Sequence, residues 1–157
     1  ERARKNMSHL TDGEVVLVDF AGIQVIDSSF VDEFLLRMIE DSRGPGITFF
    51  IKLANITPIM QTNIDSVFSS YRAYNDSRIA VVTESLTGSN AYYIGGLTEA
   101  ERDVLDYLRI NKAAHVADIA SLIAKEEHEA KELLEGLYAL RLARRGPAGE
   151  SGLFQSV

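Results

Sequence analysis

The sequence contains no cysteine and no tryptophan, and only three of its 157 residues are proline. Without cysteine there is no disulfide framework, thiol nucleophile or thiolate zinc site, and we expect a reducing, cytoplasmic location. No apolar run approaches the roughly 20 residues that a membrane-spanning helix needs, so we expect no membrane contact. Basic residues are not in excess, because 16 Lys and Arg oppose 23 Asp and Glu and give a net charge of −7. Nucleic acid and anionic lipid repel such a chain, so any basic site must be local.

Residues that support catalysis or metal binding are not grouped in this sequence. His9, His115 and His128 lie far apart and show no spacing typical of metal ligands. Ser28 and its neighbours lack the flanking glycines of a hydrolase nucleophile turn. We therefore predict a protein that is not an enzyme and that needs no metal or cofactor.

Residues 14 to 84 alternate between strand and helix patterns. The apolar runs at 15–20, 47–53 and 79–83 predict three strands, and the first is expected to be covered on both faces. Apolar residues at helical spacing predict one helix that starts at about Ser29 and a second that begins at Thr57-Pro58. Strands and helices that alternate with short connections predict an α/β domain with a mainly parallel sheet, over residues 1–84 with its core at 14–84.

The composition changes between residues 85 and 96, which are rich in Ser, Thr, Gly and Asn and predict a linker or a hairpin. Tyr92 and Tyr93 are expected to pack between two domains there. The capping-box spacing Thr98 to Glu101 opens the first of three predicted helices, and two short strands around a glycine-rich turn follow. Residues 97–157 therefore predict a second, small α+β domain.

The segment from Asp19 to Phe30 contains a strand end in Asp, a hydrophobic turn and Asp27-Ser28-Ser29 at a helix start. This pattern resembles the STAS fold of anti-sigma-factor antagonists. The resemblance implies that Ser28 is the phosphoacceptor of a partner kinase related to histidine-kinase ATPases, with Ser29 as the neighbouring candidate. Phe30 stands where those antagonists usually have glycine. In this respect the sequence is similar to a STAS-like branch whose helix starts with Ser-Phe and whose function is uncertain.

Helix capping is the alternative explanation of the same residues. Asp27, Ser28 and Ser29 all suit an N-cap position, and Ser29 with Asp32 has the spacing of a reciprocal cap. A phosphate on Ser28 would lie at the positive end of the helix dipole and would change the surface rather than the fold. Both explanations remain open at this point.

The exposed side of this helix is the predicted protein-binding face. We assign to it Asp27 and four residues of the following turns: Asp32, Glu33, Leu36 and Arg37. Leu36 would be an apolar group on an otherwise charged surface, and the alternative is that Leu36 belongs to the core.

Residues 97–157 resemble a winged helix-turn-helix domain, with a basic cluster where the third helix leads into the hairpin. The candidate DNA contacts are His128, Lys131, Arg141, Arg144 and Arg145. Arg141 stands where such domains usually have Gly or Asn in a left-handed conformation. The exposed face of the third helix is mostly carboxylate, which would be repelled by phosphates.

Two functional hypotheses follow from this sequence. The first is a regulatory protein in which the STAS-like module binds a protein partner and serine phosphorylation controls the choice of partner. The second is a sequence-specific DNA-binding regulator whose STAS-like part acts as a sensor or as the contact of a homodimer.

Overall fold

The computed structural model describes residues 9–84 and 92–157. These residues form a small α/β protein with five helices and two sheets, in which the first helix consists of three consecutive segments. Residues 85–91, which belong to the predicted linker or hairpin, lie outside the described ranges. Within those ranges, no helix combines the length and the apolar character that a membrane span requires.

The first sheet has four strands in the order β1-β2-β3-β4: Glu14–Asp19, Phe49–Ala54, Ala80–Thr83 and Tyr93–Gly95. Strands β1, β2 and β3 are parallel, which confirms the predicted core, and β4 pairs antiparallel with β3. Strand β4 lies in the segment predicted to be a linker or a hairpin, and its three residues are too few to show the alternation of a strand. The sheet is therefore mixed rather than wholly parallel.

Two helices cover one face of this sheet. Helix α1 runs as Ser28–Phe30, a π-helical segment Val31–Leu36 and Arg37–Arg43, and helix α2 is Pro58–Asn75. Thr57 caps α2 by accepting from the amide of Met60, as the Thr-Pro pair predicts. Both helices pack with the sheet into a first apolar core that includes Leu35, Leu36, Leu53, Ile64 and Val81.

Strand β1 differs from the prediction that it is covered on both faces. It lies at the edge of the sheet and pairs with β2 alone among the described strands. Val16 and Val18 contact the first core, whereas Leu17, on the opposite face, is 50% exposed. The prediction was wrong because the C-terminal part of the chain packs on that face over β2 and β3, where Phe50 meets Tyr138, and leaves Leu17 uncovered.

The C-terminal part contains three helices and a three-stranded antiparallel sheet. Helices α3, α4 and α5 are Glu99–Asn111, Val116–Ile123 and Glu127–Ala139. Strands β5, β6 and β7 are Ala113–His115, Ala143–Arg145 and Leu153–Ser156, in the order β5-β7-β6. The helices and the β6-β7 hairpin match the sequence prediction, whereas β5 has no recognisable pattern in its three residues.

A second apolar core lies on the opposite face of the first sheet. Ala80, Val82 and Tyr93 point to this side and pack with the C-terminal helices, while Val81 points to the first core. This alternation follows from the two-residue period of a strand. The first sheet therefore lies between two apolar cores, and Tyr93 packs between the two parts of the chain as expected.

An ion pair between Arg78 and Glu101 also joins the two parts. Arg78 Nη2 donates to Glu101 Oε2 at 2.5 Å, and the Thr98 amide donates to the same oxygen at 2.8 Å within the predicted capping box. Burial acts to raise the pKa of Glu101, but the hydrogen bonds from Arg78 and Thr98 outweigh it and hold that pKa below its ordinary value.

We expect Glu101→Gln to lower the free energy of unfolding by about 1–3 kcal/mol at pH 7, because a charged hydrogen-bond acceptor is lost. A group whose pKa is depressed by folding stabilises the protein above its unfolded pKa, and that contribution disappears as the pH falls through the folded value. The difference in the free energy of unfolding between wild type and variant should therefore vanish in acid. Urea unfolding at a series of pH values measures this.

The control for this experiment is Glu99→Gln. Glu99 is an exposed residue in the same first turn of α3, so it has the same favourable position in the helix dipole without the bond to Arg78. An equal loss of stability in both variants at pH 7 would show that the dipole, and not the ion pair, accounts for the effect.

Candidate functional site

Asp27 caps helix α1. Its backbone is extended, and its carboxylate oxygen Oδ1 accepts from the Phe30 amide at 2.7 Å. The predicted reciprocal cap between Ser29 and Asp32 is wrong, because Asp27 already occupies the N-cap position and both serines lie inside the first turn. The Ser28 and Ser29 side chains are thus not needed to cap α1, and both residues are exposed.

Both serines open onto a shallow groove between α1 and α2. The groove has a volume of about 430 Å³, and Asp32, Ser70 and Tyr74 also line it. Its lining contains no lysine or arginine among the described residues. A phosphate on Ser28 would benefit from the helix dipole but would face the Asp32 carboxylate, so it would project a new negative charge into the groove.

Exposed apolar side chains occur on the segments at the carboxyl edge of the first sheet. Four of them, which we call the carboxyl-edge patch, are between 37% and 58% exposed: Ile23, Val25, Phe30 and Ile59. They belong to segments that follow the carboxyl ends of the neighbouring strands β1 and β2. Exposed apolar groups gathered at one edge are typical of surfaces that bind a partner.

Contacts beneath the carboxyl-edge patch fix its position. The Phe30 ring packs edge-on against Phe20, with 6.1 Å between ring centroids, and lies 5.0 Å from the Phe34 ring. The Asn63 side-chain amide of α2 donates to the Ile26 carbonyl at 2.7 Å. Sequence analysis identified the hydrophobic turn but not its exposure, because exposure depends on which strand lies at the edge.

Four of the five residues assigned to the predicted protein-binding face are exposed, and their role in binding a partner stays a prediction. Asp27, Asp32, Glu33 and Arg37 are exposed, but Leu36 is only 2% exposed and belongs to the first core. The π-helical segment Val31–Leu36 explains this difference. Each residue of a π-helix turns less about the axis than in an α-helix, so Leu36 reaches the core side instead of solvent.

Comparisons with protein-family models and with curated proteins found no match for this chain. The functional assignment therefore depends on the geometry of its own residues, together with the two resemblances in its sequence. Among the described residues, no group of three or more His, Asp or Glu side chains is arranged to hold a metal ion.

Arg141, one of the candidate DNA contacts, lies between the two parts of the chain. Its Nε donates to the Ser42 carbonyl at 2.7 Å and its Nη1 to the Tyr138 carbonyl at 3.0 Å. Its backbone is left-handed, with φ at 63°. The Arg141 guanidinium is thus engaged in hydrogen bonds within the protein.

Arg43 makes the reciprocal contact. Its Nη2 donates to the Leu140 carbonyl at 3.2 Å and its Nη1 to the Arg78 carbonyl at 2.8 Å. Burial and the neighbouring charge of Arg141 lower the pKa of Arg43 to about 10. Arg141, which follows α5, thus donates to the carboxyl end of α1. Arg43, at the end of α1, donates to the carboxyl end of α5.

The remaining basic candidates lie in two separate places. Arg144 Nε donates to the Ser156 carbonyl at 3.0 Å, and Arg145 Nη2 donates to Glu135 Oε2 at 2.6 Å. His128 and Lys131 line a different concave surface, of about 450 Å³, together with His115 and Glu127. The structure therefore brings Arg144 near Arg145 and His128 near Lys131, but does not unite all five residues in one basic surface.

Proposed function

We propose that this chain is a non-enzymatic regulatory protein whose N-terminal part binds a protein partner through the carboxyl-edge patch. The observation that carries the proposal is the group of exposed apolar side chains beside two exposed serines at the start of α1. An apolar patch ringed by polar groups gains free energy when a partner covers it. A phosphate on Ser28 or Ser29 would place charge beside this patch and oppose that burial.

The proposed domains are a STAS-like domain at residues 1–84 and a winged helix-turn-helix domain at residues 97–157. The three parallel strands and two helices that precede residue 84 support the first. Three helices followed by the β6-β7 hairpin support the second. The C-terminal part packs on the first sheet, and this contact supports a coupling between that part and partner binding at the sheet's carboxyl edge.

The resemblance to anti-sigma-factor antagonists suggests a partner class, a kinase related to histidine-kinase ATPases, with Ser28 as its substrate and a cytoplasmic location. Exposure of Ser28 beside the groove is compatible with access by such an enzyme. The protein–protein contact and the phosphorylation are separate parts of the proposal, and they need separate measurements.

We expect Val25→Glu and Ile59→Glu each to weaken binding to a histidine-kinase-type ATPase from the same cell by about tenfold or more, because a buried carboxylate without a partner is costly. Ser28→Asp should weaken binding as well, whereas Ser28→Ala should not. Surface plasmon resonance with the purified ATPase measures each affinity, and mass spectrometry after incubation with ATP locates the phosphate.

Ile47→Glu is the matched control. Ile47 is also 50% exposed, but it precedes β2 and therefore lies at the amino end of that strand. If Ile47→Glu weakens binding as much as Ile59→Glu does, the patch is not the docking surface. If no ATPase of this class binds the wild-type chain, the partner class is wrong.

The alternative function, a sequence-specific DNA-binding regulator, has less support. Arg141, Arg144 and Arg145 donate to groups within the protein. The exposed side of α5 carries Glu127 and Glu132, which would repel phosphates. Homodimer formation stays a prediction of the sequence.

A further inference from the structure

A cavity of about 370 Å³ lies between the first sheet and the C-terminal part of the chain. Its walls come from β2, β3 and β4, from α3 and from the end of the β6-β7 hairpin. Val82, Leu105, Leu108 and Leu142 supply apolar lining. Cavities of a few hundred cubic ångströms that combine apolar walls with a few polar groups are the usual form of small-molecule sites.

Three cationic side chains line this cavity, namely Lys52, Arg109 and Lys112. Two carboxylates, Glu84 and Asp106, also line it, and Val157 at the end of the chain contributes a main-chain oxygen that accepts from Lys52. An anion that enters the cavity would meet these cations at close range within a molecule whose net charge is −7.

Arg109 has unused hydrogen-bonding capacity in this cavity. Its guanidinium carbon lies 3.5 Å from the centroid of the Tyr92 ring, which holds the group in place. Its Nε is buried and has no hydrogen-bond partner among the described residues, since Asp106 Oδ1 is 3.8 Å away. The Arg109 side chain as a whole is 38% exposed, so an acidic group of a ligand would meet the exposed part of the guanidinium rather than Nε.

The two lysines differ in their surroundings. Lys52 Nζ donates to the main-chain oxygen of Val157 at 3.0 Å. Lys112 follows the end of α3 in a backbone conformation with φ at 69°, and it is exposed at the mouth of the cavity. Lys112 and Arg109 are therefore the cations best placed to meet an acidic group at the mouth.

We propose that this cavity binds a small organic anion with an apolar body, whose acidic group contacts Arg109 and Lys112 and whose body lies against Val82 and Leu108. This site goes beyond the proposed protein-docking function and uses other residues. A ligand here would contact the sheet and the C-terminal part together, and would stabilise their association because it binds only the folded arrangement.

The probe for this proposal is 1-naphthoate, with the neutral 1-naphthalenemethanol and the cationic 1-naphthylmethylamine as compounds of similar shape. We expect a dissociation constant at or below about 1 mM for naphthoate, which is typical of a ligand of this size. The alcohol should bind about tenfold more weakly or worse, since it lacks the charge-assisted bonds. Titrations followed by amide chemical shifts also show whether the changes fall on residues 105–109.

Charge-changing variants of the full chain locate the anion. Lys112→Gln and Arg109→Gln should each weaken naphthoate binding about tenfold, while Arg109→Lys should retain part of the affinity. Asp106→Asn should strengthen binding, because it removes a repelling carboxylate. The matched control is Lys131→Gln, an equal loss of charge at an exposed lysine that does not line this cavity.

Several results would overturn the proposal. Wild-type protein that does not bind naphthoate, or that binds the alcohol or the amine as tightly, excludes an anion site. Affinity that is unchanged in folded Lys112→Gln and Arg109→Gln places the probe elsewhere. A melting temperature measured for every variant identifies any that fail to fold, and Arg109→Lys then takes the place of Arg109→Gln.

Discussion

Leu36→Arg is expected to lower the free energy of unfolding by about 4 kcal/mol or more, which is a large part of the stability of a domain of this size. Leu36 is only 2% exposed and packs in the first core, so an arginine there would be a buried charge without a partner. Urea unfolding followed by circular dichroism measures the loss. A protein that is already unfolded in buffer would be the extreme form of the same result.

Leu17→Arg is the control for this prediction. Leu17 is 50% exposed on the edge strand, so the same change should alter stability by about 0.5 kcal/mol or less. Equal losses in the two variants would contradict the burial of Leu36. Leu36→Met keeps the volume and should leave the fold and partner binding intact, which separates a docking role for Leu36 from a structural one.

Helix α1 contains a feature that the spacing of its apolar residues does not predict. Regular helical spacing places Leu36 on the outer side, and the prediction of an exposed apolar group follows from that spacing alone. The π-helical segment Val31–Leu36 changes the rotation at this point, and no residue in it signals the change. Long periodic elements were otherwise predicted well, because their apolar spacing is repeated several times.

Helix caps were predicted correctly where only one residue was able to serve as the N-cap. Thr57 before Pro58 and Thr98 before Glu101 both cap helices as predicted. At Asp27-Ser28-Ser29 three adjacent residues are all able to cap, so the sequence did not decide among them. The structure assigns the cap to Asp27, since the backbone of that residue is the one that is extended.

Contacts between distant parts of the chain could not be predicted from residue type. The sequence shows that Arg141 and Arg145 are basic and near the hairpin, but not that the Ser42 carbonyl, 99 positions away from Arg141, accepts from it. The same limit applies to the cavity, whose lining comes from both parts of the chain. Its residues show no common spacing, so no sequence motif identifies it.

A glycine in strand β4 is expected to tolerate no side chain. Gly95 in β4 has φ at +125°, a conformation that side chains strongly disfavour. A Cβ at this position would lie 2.5 Å from the Ile79 carbonyl oxygen and 2.7 Å from the Ala80 Cα atom. We expect Gly95→Ala to lower the free energy of unfolding by about 3 kcal/mol or more, because backbone strain and a backbone clash add together.

Gly136→Ala is the matched control, since Gly136 lies inside α5 and a Cβ there meets no atom within 4 Å. This variant should raise the free energy of unfolding by about 1 kcal/mol, because alanine favours a helix over glycine by that amount. Urea unfolding of both variants gives the two values. If Gly95→Ala were as stable as the wild type, Gly95 could not pair with Ala80 at the observed distance, and the antiparallel register of β3 with β4 would have to differ.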